Sequence, residues 1–130
     1  MPQIGDAILV PSGPNNGQQH LFIILNNPAV FKGYGSMDHC VFVGISSIRA
    51  SVPYDATYVL APGDHPFVQR PSYIYYKGVR IEPAQQIDRL IAQKYFTLHA
   101  TPFTQTQVFA VRAGFKTSPT INRAFKALFP

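Results

Sequence analysis

The chain has 130 residues, long enough to bury one ordinary hydrophobic core and too short for two. Hydrophobic residues make up 46% and aromatics 13%, which excludes a disordered chain. No apolar run approaches the roughly 20 residues that a membrane helix needs.

The net charge of +5 is unevenly placed. No Lys or Arg precedes Lys32 and no Asp or Glu follows Asp88, so residues 1–88 carry five basic and six acidic groups, whereas residues 89–130 carry six basic groups and no acid. Such a tail suits an anionic partner, nucleic acid or an acidic protein, although solubility and helix-end charges give the same count. Met1-Pro2-Gln3-Ile4-Gly5-Asp6 has no basic start, apolar core or small-residue cleavage site, so no signal peptide is expected. The single cysteine, Cys40, cannot form an internal disulfide, in keeping with a cytoplasmic protein.

Twelve prolines and nine glycines cut much of the chain into short segments, the pattern of a small β-barrel or sandwich. Asp6–Val10 reads as an apolar strand stopped by Pro11-Ser12-Gly13-Pro14, and Asn15-Asn16-Gly17-Gln18-Gln19 as a polar loop. His20 leads into Leu21–Leu25, an apolar run of the kind buried on both faces. Residues 26–39 read as a connection, Cys40–Ile48 as a strand that turns polar at Ser46-Ser47, and Thr57–Leu60 as a short strand closed by Ala61-Pro62-Gly63-Asp64. Tyr73–Ile81 completes the sheet. The period then changes: Ala84, Ile87, Leu90 and Ile91 predict a helix over 83–93. Thr101-Pro102 predicts an N-cap and first turn for a helix to about Ala113, with Gly114 as terminator. Ser118-Pro119 repeats that start signal, and Ile121, Ala124, Phe125, Leu128 and Phe129 predict a last helix with Arg123 and Lys126 on its opposite face. The reading is one domain, a β-rich body over about 1–81 and a helical C-terminal part over about 83–130.

The four histidines lack paired ligand spacing, so Asp38-His39-Cys40 and Asp64-His65 read as loop residues at strand ends, and no metal or cofactor is indicated. Cys40 reads as a small buried hydrophobe. Three segments place polar groups at strand ends: His20; Ser46-Ser47-Ile48-Arg49; and the run from Asp64 to Lys77, with His65, Arg70, Tyr73 and Tyr75. Strand alternation puts Tyr73, Tyr75 and Lys77 on one side and Ile74 and Tyr76 on the other. Cations interleaved with aromatics suit single-stranded nucleic acid, because phosphates take the cations and unpaired bases take the rings. Tyrosines lining a half-exposed sheet have the same pattern, so composition leaves both readings open.

Gly5-Asp6-Ala7-Ile8-Leu9-Val10-Pro11, then Leu21-Phe22-Ile23-Ile24-Leu25-Asn26-Asn27-Pro28, then Val41–Ile45 closed by Ser46-Ser47, follow one another in an order that resembles the PemK/MazF-like toxins of toxin–antitoxin modules, over about residues 4–81. The resemblance implies a mainly β fold with C-terminal helices, an SH3-like small β-barrel of the PemK/MazF/CcdB type. It also implies a homodimer, an acidic antitoxin as partner, and metal-independent cleavage of single-stranded RNA. In that chemistry a base activates the ribose 2′-hydroxyl, a cation steadies the phosphorane and an acid serves the leaving group. Family members carry an Arg just before the second strand and a Thr/Ser pair after the third; here His20 and Ser46-Ser47 hold those places. A fourth motif usually supplies an Arg followed by an acid, and here Tyr75-Tyr76-Lys77 stands there.

With that pair absent, the candidate catalytic residues are His20, Ser46, Ser47 and His65. The candidate RNA-binding residues are Arg49, Arg70, Tyr73, Tyr75 and Lys77, with Arg80 a further phosphate ligand. The absence equally fits a relative that binds without cutting, as CcdB does when it poisons DNA gyrase through its C-terminal helix. On that alternative, Arg123 and Lys126 meet an acidic antitoxin, a gyrase-like target or DNA.

Overall fold

The computed structural model describes residues 1–14 and 17–130. Its six strands are β1 (Ala7–Ser12), β2 (Gln18–Ile24), β3 (His39–Ser47), β4 (Val59–Leu60), β5 (Ser72–Pro83) and β6 (Thr97–Leu98). They form one antiparallel sheet in the order β4-β5-β3-β2-β1-β6. Two helices, α1 (Ala84–Ala92) and α2 (Gln105–Ala113), and a 3-10 turn, Arg123–Phe125, complete a mainly β fold. Among the described residues no helix is long and apolar enough to cross a membrane. Asn15 and Asn16 of the expected polar loop lie outside the described residues.

Strand alternation sorts the apolar side chains into two layers. Ala7, Leu21, Ile23, Leu25, Val41, Val43 and Ile45 point to one face, where they meet Val108 and Val111 of α2 together with Phe103, Phe115, Ile121 and Phe129. Ile8, Val10, Ile24, Cys40 and Phe42 point to the other, where Ala84 and Ile87 of α1 and Phe96 cover them. The expectation that Leu21–Leu25 is buried from both sides is met, apart from the half-buried Phe22. β5 changes parity along its length. Ile74 and Tyr76 face the α2 side before a bulge, Val79 and Ile81 after it, as the register jumps from Gly44↔Tyr75 to Phe42↔Arg80.

The sheet curls. β4 and β6 stand at its opposite edges, yet the loop after β4 touches the segment after β6. The rings of His65 and His99 lie 4.8 Å apart, His65 Nε2 is 2.7 Å from the Thr101 carbonyl, and Gln107 Nε2 donates to the Asp64 carbonyl at 2.7 Å. The edges thus meet through loops and side chains, with no ladder between β4 and β6 among the described residues. At the other end of β2 the buried Asn26 extends the pairing. Its Oδ1 accepts from Val41 N at 2.7 Å and its Nδ2 donates to the His39 carbonyl at 3.1 Å.

The C-terminal part departs from expectation three times. Thr97–Leu98, beyond the expected end of the sheet at Ile81, pairs with Ile8 and Leu9 of β1 as the edge strand β6. Thr101-Pro102 does not open α2; Phe103 N donates to the Gly5 carbonyl at 2.8 Å, which keeps that stretch extended along the sheet. The cap is Thr104, in a reciprocal capping box with Gln107. The last predicted helix is absent apart from the 3-10 turn. Ser118 Oγ donates to Asp55 and accepts from the backbone N–H groups of Thr120 and Ile121, while Thr120 Oγ1 also donates to Asp55. These bonds hold the entry to the tail in a turn and compete with helix formation. Burial pushes the Asp55 carboxyl up, but the hydrogen bonds from Ser118, Thr120 and Thr57 outweigh it and bring it down to about 2.

Tyr76 carries the sheet into this C-terminal packing: its buried hydroxyl donates to the Val111 carbonyl at 2.7 Å. A Cβ at Gly114 would overlap the Tyr76 hydroxyl and approach Thr57 Cγ2 to 3.0 Å, so only glycine fits there. Gly114→Ala is expected to lower stability by about 1–3 kcal/mol, measured by urea unfolding, because the buried ring has no room to retreat. An unchanged midpoint would show that the Tyr76–α2 contact is loose.

Candidate functional site

α1 covers only part of the outer face of the sheet. At the opposite end, the N-terminal end of β2, the C-terminal end of β3 and the start of β5 border an open cleft of about 540 Å³. Its walls include His20, Ser46, Ser47, Arg49, Arg70 and Tyr73, so six of the residues singled out from separate stretches of sequence are gathered in one place.

The ladder explains how. Val10 pairs with His20, and Ser12 Oγ lies 3.1 Å from His20 Nδ1. Ser46 pairs with Tyr73 and Ser47 with Ser72, which lays the serine pair beside the start of β5. Ile48 N donates to the Pro71 carbonyl at 2.9 Å, and Val52 N to the Arg49 carbonyl at 3.2 Å, so the chain turns at the cleft edge with Arg49 on its wall. Ser72 Oγ donates to the Arg70 carbonyl at 2.8 Å and fixes the backbone that carries the second guanidinium.

The electrostatics are one-sided. Arg49 and Arg70 line the cleft, and no Asp or Glu does so among the described residues. Neither guanidinium has an ion-pair partner there; the side-chain pair found on the chain is Arg80–Glu82, at 3.3 Å. Two uncompensated cations on a concave, polar wall favour an anion, and a planar guanidinium suits a phosphate best.

Other expected site residues lie elsewhere. His65 is 2% exposed and stacked on Phe103 at 4.5 Å, with Nε2 donating to the Thr101 carbonyl and Nδ1 accepting from Phe67 N. Both ring nitrogens are committed, so its place is structural: it fastens the loop that carries Phe67, Gln69 and Arg70 to the far edge of the sheet. Burial holds its pKa below the usual histidine value; the Thr101 hydrogen bond opposes this and His99 adds to it. Tyr75 and Lys77 are exposed on the same side of β5 as Tyr73 but beyond the cleft wall. Arg80 sits over the Phe42 ring at 5.0 Å and pairs with Glu82, away from the cleft. Cys40 is fully buried, and burial followed by the charge of Asp38 pushes its thiol up to about 12, as suits an inert core residue. Arg123 and Lys126 are exposed on and beside the 3-10 turn.

The cleft also uses residues that sequence reasoning passed over, chiefly Gln18, Gln19, Tyr54 and Phe67. Tyr54 had a signal: an aromatic residue between Pro53 and Asp55, in a segment with no strand pattern. Its ring lies 5.3 Å from that of Tyr73. Comparison with family models, with curated proteins and with solved structures finds no match for this chain.

The neutral His65 has a consequence for stability. A histidine whose pKa is lowered on folding binds protons more readily unfolded, so its contribution is complete above the ordinary value of about 6.5 and is lost as pH falls from there through the folded value. Urea midpoints are expected to fall between about pH 7 and pH 5, and this slope is expected to flatten in His65→Gln, which is less stable at every pH. An identical slope in the variant would assign the pH dependence to another group.

Proposed function

We propose that the chain is a toxin-like protein of the PemK/MazF type, an SH3-like barrel whose strand-end cleft takes single-stranded RNA. One observation carries the reading: a cleft that joins Arg49, Arg70, His20 and the Ser46-Ser47 pair and that no carboxylate lines among the described residues. An acidic antitoxin and a homodimeric, cytoplasmic assembly belong to the same proposal.

The chemistry that fits is transesterification of the ribose-phosphate backbone. His20, whose Nδ1 is held by Ser12, takes the 2′-hydroxyl proton. The 2′ oxygen attacks phosphorus, the bond from phosphorus to the 5′ oxygen breaks, and that oxygen leaves with a proton from solvent, giving a 2′,3′-cyclic phosphate. Arg49 and Arg70 stabilise the charge of the phosphorane, and the serine hydroxyls donate to its oxygens. The cleft thus supplies its own cations, and the reaction is proposed to need no metal.

A second reading has its own observation. The acid-free C-terminal part carries a smaller groove, of about 290 Å³, lined by Phe109, Arg112, Lys116 and Phe129, with the Arg112 guanidinium 4.1 Å from the Phe129 ring centre. That surface, with Arg123 and Lys126 on the same tail, suits an acidic protein segment held without catalysis.

Three experiments separate these readings. Purified protein is expected to cleave a mixed single-stranded RNA equally with and without EDTA, with His20→Ala slowing cleavage by about 100-fold or more. RNA left intact at enzyme excess sinks the cleavage. Arg49→Ala or Arg70→Ala is expected to weaken RNA retention and to reduce the log–log salt slope by about 0.7 for each lost phosphate contact. For the second reading, capture of a polyglutamate peptide is expected to vanish in the Arg123→Glu/Lys126→Glu variant and to persist in Arg49→Glu/Arg70→Glu. The opposite pattern would move the acidic partner to the cleft.

A further inference from the structure

Tyr54, Tyr73 and Tyr75 form a line of aromatic rings that begins in the cleft and runs out of it along β5. The Tyr54 and Tyr73 rings lie 5.3 Å apart at 36°, and those of Tyr73 and Tyr75 lie 6.4 Å apart at 73°. Tyr54 and Tyr75 are each 42% exposed, and no element of the fold covers this end of the outer face, since α1 packs on the other end. Their hydroxyls make no hydrogen bond among the described residues, whereas the buried Tyr76 beside them is fully engaged.

The β-propensity of tyrosine accounts for a ring or two on a half-exposed strand, but not for this arrangement. Tyr54 belongs to no strand; it comes from the segment between β3 and β4 and is brought against Tyr73 from outside the sheet. Tyr75 lies over Gly78, at the bulge of β5, where a Cβ would stand 2.6 Å from its ring. The bulge glycine therefore leaves the space in which that ring rests.

Building on the cleft as a single-strand RNA site, we infer that these three tyrosines are a stacking platform for unpaired bases next to the bound phosphate. The rings are spaced by 5.3 Å and 6.4 Å, so that successive unpaired bases of one strand can each meet a ring. Ring faces accept any base, so the platform selects for unpaired, base-bearing strand and not for sequence. A duplex, whose bases are already stacked within the helix, has none to offer it. Arg49 and Arg70 hold the backbone at one end and the rings hold the bases beyond it.

The test uses two fluorescent probes of equal length: a short 2′-O-methyl RNA, which cannot be cleaved at a blocked 2′ oxygen, and an abasic 2′-O-methyl ribose-phosphate chain with the same number of phosphates. The wild type is expected to bind the base-bearing strand at least tenfold more tightly than the abasic chain. Tyr54→Ala, Tyr73→Ala and Tyr75→Ala are each expected to remove about tenfold of that preference, and the Tyr→Phe variants to keep it. Gly78→Ala, which evicts the Tyr75 ring, is expected to match Tyr75→Ala with an unchanged circular dichroism spectrum. Equal affinity for the two probes, still dependent on Arg49 and Arg70, overturns the platform and leaves the cleft reading standing. Failure to bind either probe overturns both.

Discussion

The three central strands bury side chains on both faces, and α1 is too short to cover the whole of the outer one. Everything on that face follows from this shortage. Where Ala84, Ile87 and Phe96 reach, the sheet below them is apolar: Ile8, Val10, Ile24, Cys40 and Phe42. Where they do not reach, the same alternating positions become Ser12, His20, Ser46, Tyr73 and Tyr75, which water tolerates and a ligand can use. One set of ladders thus builds a core at one end and a site at the other. On the inner face α2 and the tail pack around Tyr76 and Phe115, and only at the cleft end do its residues Leu21, Ile45, Ser47 and Ser72 reach the cleft wall.

Closure of the curled sheet sets the second wall of the cleft. His65 does no chemistry in this arrangement, yet it ties the loop bearing Phe67 and Arg70 to the segment after β6, on the far edge of the sheet. Its burial in a neutral state links that wall to pH through stability rather than through a catalytic proton. Asp55 plays the matching part for the tail. It gathers Thr57, Ser118 and Thr120 around one carboxylate, directly after the Tyr54 that faces the cleft.

What the sequence made legible is what period and strand ends control. The first five strands along the chain, the two-sided burial of Leu21–Leu25, the inert Cys40 and the faces of Tyr73 to Lys77 all follow from alternation, whereas β6 and the meeting of His20 with Ser46 and Ser47 at one end of the sheet are set by the strand pairing. What depended on distant contacts was not legible. His65 reads in sequence as a strand-end loop residue and a candidate catalytic base, because nothing in its neighbourhood announces Phe103 and Thr101. The Ile121 to Phe129 stripe has helical spacing, but Asp55 lies 63 residues before Ser118 in the chain and its carboxylate fixes a turn there instead. Thr101-Pro102 has the pattern of a helix start, whereas the cap is Thr104 with Gln107, three residues further on.

The strand-end cleft, and not the basic tail, is the RNA site proposed for this protein. Amide and arginine side-chain chemical shifts of the protein, followed by NMR during titration with a non-cleavable single-stranded RNA, test it directly. The largest shifts are expected at His20, Ser46, Ser47, Arg49 and Arg70, with Arg123 and Lys126 unmoved. Shifts confined to residues 105–130, with the cleft silent, would contradict it.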